Sequence, residues 1–147
     1  MGDRFLVAVD FSRLTLPTIS YAVKLAAGPR HRVDLVHVVA GTAGAAVGQV
    51  AAKDLLDPID RREQDGARRR LQTLMDDLVP DAIHGDVIIA TGSPAHVIEH
   101  LTETPDRYEM VVISTNARTG LQKMLLGSVA EQVLRNVSIP VLVVRTP

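Results

Sequence analysis

Five short apolar runs, each followed by a polar or helix-patterned stretch, constrain this chain more than any other feature. They are Phe5-Leu6-Val7-Ala8-Val9, Val33-Asp34-Leu35-Val36-His37-Val38-Val39, Asp86-Val87-Ile88-Ile89-Ala90, Met110-Val111-Val112-Ile113 and Val141-Leu142-Val143-Val144. β-Branched residues dominate them, and apolar side chains run on almost without interruption. A strand with one wet face alternates apolar and polar, so runs like these suggest strands covered on both faces. That points to a parallel sheet with helical crossovers.

The intervening stretches read as helices. From about Leu14 to Ala27 apolar residues recur at helical spacing, and Gly28-Pro29 stops them. About Pro58 to Leu78 predicts a long charged helix with Leu71, Leu74, Met75 and Leu78 turned inward. Ser93-Pro94 suggests an N-cap with Pro in the first helical position, opening a helix through Leu101. Ser128, followed three residues later by Glu131, has the form of a capping box for a last helix. The expectation is one α/β domain over residues 1–147, doubly wound, with helices on both faces. In such a fold ligands sit outside the carboxyl ends of the strands where the winding reverses.

Composition narrows the function. Cysteine is absent, which removes thiolate nucleophiles, Cys-based zinc sites and disulfides. A net charge of −1 and 3% aromatics give no footprint for nucleic acid. No apolar run nears the roughly 20 residues of a membrane helix, and the start Met1-Gly2-Asp3-Arg4-Phe5 does not resemble a secretion signal. A cytoplasmic protein without membrane or nucleic-acid partners is expected.

Several residue patterns have two readings. His96-Val97-Ile98-Glu99-His100 matches H-x-x-E-H, but no third ligand follows at a convincing place, so a polar helix face is the reading and no metal site is expected. Arg61-Arg62 and Arg68-Arg69-Arg70 interleave with Asp60, Glu63 and Asp65, as on a solvated helix. His37, inside an apolar run, reads as a satisfied histidine. The Gly/Ala-rich stretch Ala40 to Gly48 reads as a connection, its glycines being out of G-x-G-x-x-G register. The chain has no G-x-x-x-x-G-K-(S/T) phosphate loop and no G-x-S-x-G nucleophile turn.

Ser114 to Ser128 is the most informative segment. It leaves the fourth strand, is rich in small residues, and ends at a helix start whose free amides and dipole favour an anion. From Glu109 to the end Arg118, Lys123, Arg135 and Arg145 stand against Glu109 and Glu131, a local excess of positive charge. A plain connecting loop with a capped helix remains the other reading.

Taken together, Phe5 to Ser12, Leu35 to Val39, Thr91-Gly92-Ser93-Pro94, and Arg118 through Glu131 to Val144 resemble the universal stress protein family over nearly the whole chain. The resemblance implies a five-stranded parallel sheet of order 3-2-1-4-5, like that of adenine-nucleotide hydrolases. It implies ATP or a related adenine nucleotide, with Mg2+ as its companion, between the first and fourth strands. Ala8, Asp10 and Val38 would flank adenine and ribose. Ile113, Ser114, Thr115, Ala117, Gly127, Ser128 and Val129 would complete the nucleotide site, with Ser114, Ala117, Gly127 and Ser128 at the phosphate-motif positions. The family pattern G-x-x-G-x9-G-(S/T) is here Ser114-x-x-Ala117-x9-Gly127-Ser128, so the first two glycines are replaced. If left-handed backbone were needed there, each replacement would cost roughly 1–2 kcal/mol. The implied role is a stress-response sensor with at most weak ATP hydrolysis and no catalytic residues. The alternative is a dimeric interaction module that binds no nucleotide. A homodimer through Val141 to Val144 is implied in either case, in keeping with a bare apolar edge.

Overall fold

The computed structural model describes residues 2–40, 58–115 and 126–145, with side chains of the long helix from residue 61 onward. Strands and helices alternate: β1 (Arg4–Ala8), α1 (Thr15–Ala27), β2 (Arg32–Val39), α2 (Pro58–Leu78), β3 (His84–Thr91), α3 (Pro94–Thr102), β4 (Tyr108–Ser114), α4 (Ser128–Asn136) and β5 (Val141–Val144). All four strand pairings are parallel, and the sheet order is β3-β2-β1-β4-β5. The fold expected from the apolar runs and the family resemblance is the one observed. The Gly/Ala-rich stretch 41–48 lies outside the described residues.

Two cores explain why the runs are apolar throughout. Phe5, Val7 and Val9 point to one face, where they meet Ile19, Ala22 and Ala26 of α1 and Leu71 and Met75 of α2. Leu6, Val36, Val111 and Ile113 point to the other, against Ala95 and Ile98 of α3 and Ala130 and Val133 of α4. Adjacent residues of one strand thus serve opposite cores, as the two-residue strand period requires.

The strands extend beyond the apolar runs at their amino ends, β3 by two residues to His84 and β4 by two to Tyr108. These additions build a polar foot beneath the sheet. Asp34 is fully buried there. Its Oδ1 accepts from Arg4 Nη1 at 2.7 Å and from the Asp86 amide at 2.8 Å, and its Oδ2 accepts from the Tyr108 hydroxyl at 2.8 Å. Arg107 Nη2 adds a longer contact at 3.6 Å. Burying a lone carboxylate is costly, and these donors offset that cost. Gly85 leaves room for the cluster: a Cβ there would collide with Asp34 Oδ1 and the Val33 backbone. Burial raises the Tyr108 phenol above its usual pKa, with the Asp34 charge and hydrogen bond adding to it and Arg107 opposing. For Arg4, burial works against the charge, but the Asp34 carboxylate outweighs it and the net shift is upward.

Candidate functional site

At the other end of the strands, β1 stops at Ala8 and the chain turns sharply. Asp10 Oδ1 accepts the Ser12 amide at 3.0 Å, and Ser12 Oγ accepts the Leu14 amide at 3.2 Å, before α1 begins. Phe11 sits between them with φ 57, an uncommon backbone for an aromatic residue. Its ring is held on one side by His37, centroids 4.3 Å apart, and by the Arg70 guanidinium of α2 at 4.0 Å. His37 Nδ1 lies 2.7 Å from the Val9 carbonyl, which can only accept, so Nδ1 carries the proton. The histidine is satisfied, as its place in an apolar strand suggests.

Between this turn and the other half of the sheet lies a cleft of about 300 Å³. Its position matches the rule for doubly wound sheets, because β1 is the strand from which the order runs to β2 on one side and β4 on the other. Ala8, Asp10, Val36, His37 and Val38 line one wall; Ile113 and Ser114 end β4 on the next; Gly127, Ser128, Val129 and Ala130 supply the start of α4. Pro94 and Ile98 of α3 complete it. Gly92, with φ 127 and its amide on the Val39 carbonyl at 3.1 Å, makes the turn that swings α3 over the sheet.

Of the residues expected at the site, Ala8, Asp10, Val38, Ile113, Ser114, Gly127, Ser128 and Val129 are brought together in this cleft. Thr115 is buried, its amide bonds the Val144 carbonyl at 3.0 Å, and it is not part of the lining. Ala117, Arg118 and Lys123 lie outside the described residues. Ser114 is the last residue of β4, in register with Val144, and is not among the positive-φ residues. The strain considered for a glycine replacement therefore does not arise at Ser114. Sequence reasoning did not select Val36, Pro94, Ile98 or Ala130. Val36 had a signal, since it shares a strand face with Val38; the others depend on where α3 and α4 cross the sheet.

The start of α4 corrects one expectation. Ser128 is the first helical residue and Gly127, at φ −55 and ψ 153, is the N-cap, with no side-chain cap bond. The Ser128–Glu131 capping box does not form; Glu131 instead pairs with Arg135 at 2.7 Å. Ser93 does hold the N-cap position of α3, with Pro94 behind it, but makes no side-chain cap bond either. For α4 the consequence is chemical. The helical ladder opens with Glu131 N to Gly127 O at 3.0 Å, so the amides of Ser128, Val129 and Ala130 precede it at the cleft wall. Such a helix start favours an anion.

The cleft is apolar along Val36, Val38, Ile98 and Ile113 and polar at Asp10, Ser114 and Ser128. Its volume is at the lower end for a small-molecule site. The lining therefore suits a flat apolar group with polar substituents and an anionic tail toward α4. His96 and His100 are on the outer face of α3, their side chains 64% and 80% exposed, away from this wall. No helix among the described residues is long and apolar enough to cross a membrane.

Comparison with known proteins agrees with the geometry. The chain is 27% identical over 150 residues to universal stress protein YxiE of Bacillus subtilis (strain 168), covering 99% of this chain and all of that protein. Among solved structures, hypothetical protein MJ0577 superposes with a TM-score of 0.75 at 22% identity, covering 100% of this chain and 98% of the other. A universal stress protein in complex with cAMP superposes with a TM-score of 0.63 at 18% identity, covering 98% and 97%. The sequence model of the universal stress protein family matches residues 1–145. With the sheet order, the cleft and this match in hand, the chain belongs to the universal stress protein family.

Proposed function

We propose that this protein binds an adenine nucleotide, ATP or a relative of it, in the β1–β4 cleft and acts as a sensor rather than a fast enzyme. The observation that carries this reading is the start of α4, without a side-chain cap among the described residues, lining the same cleft as Asp10. Aliphatic Val38 and Ile113 would hold the base, Asp10 would accept from ribose hydroxyls, and the first amides of α4 with Ser128 would meet phosphate oxygens. A bound nucleotide would supply its own charge for Mg2+. The cAMP complex of a related fold supports the ligand class. Isothermal titration with ATP and Mg2+, repeated with cAMP, tests the proposal. Saturable heat with a rise in Tm is expected; no heat and no thermal shift at millimolar nucleotide removes it.

A second reading keeps the fold and drops the nucleotide: a dimeric interaction module. It is favoured by β5, an edge strand whose Val141, Leu142 and Val143 remain partly exposed and which, among the described residues, pairs only with β4. An open apolar edge invites a second copy. The double change Ser114→Gly with Ala117→Gly separates the readings. Binding seen only in that variant identifies the natural cleft as vestigial. A monomeric mass at micromolar concentration rules out the dimer.

A further inference from the structure

The outer face of α3 takes no part in the cleft, yet it is organised. His96 and His100 stand one helical turn apart with largely exposed rings. Behind each lies a carboxylate from the following turn: His96 Nδ1 is 3.7 Å from Glu99 Oε2, and His100 Nδ1 is 3.2 Å from Glu103 Oε2. Glu99 is itself steadied by Asn136 of α4, whose Nδ2 donates to Oε2 at 3.2 Å. At 3.2 Å the Glu103 carboxylate keeps the proton on His100 Nδ1 and leaves its Nε2 lone pair for another partner, whereas Glu99 at 3.7 Å stands beside His96 Nδ1 without a hydrogen bond. Metal-ligating histidines are held in this way, with the second nitrogen donating to a carboxylate.

We propose that His96 and His100 form a two-histidine chelate for a divalent first-row transition ion that prefers imidazole, namely Zn2+, Ni2+ or Cu2+. Side chains at this spacing have Cβ atoms about 5–6 Å apart. Bringing both Nε2 atoms to one ion needs only rotation of two exposed side chains. Among the described residues no group of three or more metal-ligating side chains converges, so water completes the coordination. Hard, oxygen-seeking Mg2+ and Ca2+ do not suit such a pair. An ion bound there pins one turn of α3 and, by binding only the folded helix, stabilises the fold.

The test uses untagged full-length protein first stripped with a chelator. Zn2+ and Ni2+ are expected to raise Tm saturably, Cu2+ to act at lower concentration, and Mg2+ to do nothing. The protein is also expected to be retained on nickel-charged resin. His96→Gln or His100→Gln should each abolish retention, and Glu103→Gln should weaken apparent affinity roughly tenfold. Equal thermal shifts in the His96→Gln/His100→Gln double variant, an equal shift with Mg2+, or neither shift nor retention in the natural protein would each overturn the proposal. Because both rings are exposed, the variants are expected to fold normally.

Discussion

The two ends of one sheet are built on opposite plans. At the foot, Asp34 gathers Arg4, the Asp86 amide and Tyr108 into a cluster in which both of its carboxylate oxygens have donors. At the head, the strands part around a cleft and α4 begins without a side-chain cap among the described residues. The same parallel strands serve both, so stability and recognition are separated along the strand axis. Polar groups satisfied by the protein itself consolidate the fold, whereas polar groups left facing a cleft are available to a ligand.

The largest expected effect is at the foot. Asp34→Ala would remove the acceptor shared by Arg4, the Asp86 amide and the Tyr108 hydroxyl, leaving Arg4 paired with Asp86 at 3.0 Å, and should lower unfolding free energy by about 3 kcal/mol. Urea unfolding measures it; a loss under about 1 kcal/mol would mean that the foot is not a stability element. At the head the effect should move from stability to binding. Asp10→Ala is expected to weaken nucleotide affinity by about 10- to 100-fold, the range for a hydrogen bond to a charged group, with a smaller change in Tm. Unchanged affinity would take Asp10 out of the site.

Tyr108→Phe should cost about 1 kcal/mol at neutral pH and also change the alkaline limb of stability. The folded-state pKa of Tyr108 is raised, so its contribution is complete below the unfolded phenol pKa, about 10, and is lost as pH rises above that. The natural protein should therefore lose stability above pH 10 more steeply than the Phe variant, as thermal melts across that range would reveal. Parallel slopes would contradict the assignment. The smallest effect sharpens the contrast most. Ser128→Asp puts a carboxylate at the start of α4 and should stabilise the fold by about 0.3–1 kcal/mol. It should also repel a phosphate and weaken nucleotide binding. Tighter binding in this variant would show that the ligand anion lies elsewhere.

Most of the head was legible in the sequence, and the foot was not. The Ser114 to Ser128 segment was marked by its small residues and helix start, and the family resemblance added Asp10 and Val38; all sit near strand ends or a helix start, where the switch-point rule assembles them. Asp34 carries no local mark. Its partners are 30, 52 and 74 residues away, and only the parallel register of four strands brings them together. The misplaced cap on α4 is a local failure of another kind. Ser128 is the better capping side chain, but the backbone of Gly127 takes the cap conformation, and Ser128 follows as the first helical residue. The stacking of Arg70 on Phe11 was equally hidden, because a charge-laced helix gives no hint that one of its arginines will cover an aromatic ring.

Asp34 also acts as a proofreading device for assembly. In a chain whose β-strands are apolar almost throughout, Val33, Leu35 and Val36 would pack tolerably in a shifted alignment, so hydrophobicity alone discriminates poorly between neighbouring registers. A one-residue slip of β2 would turn the aspartate to the opposite face, among hydrocarbon and without its arginine and phenol. One acidic residue thus penalises near-miss sheets that greasy neighbours would have accepted.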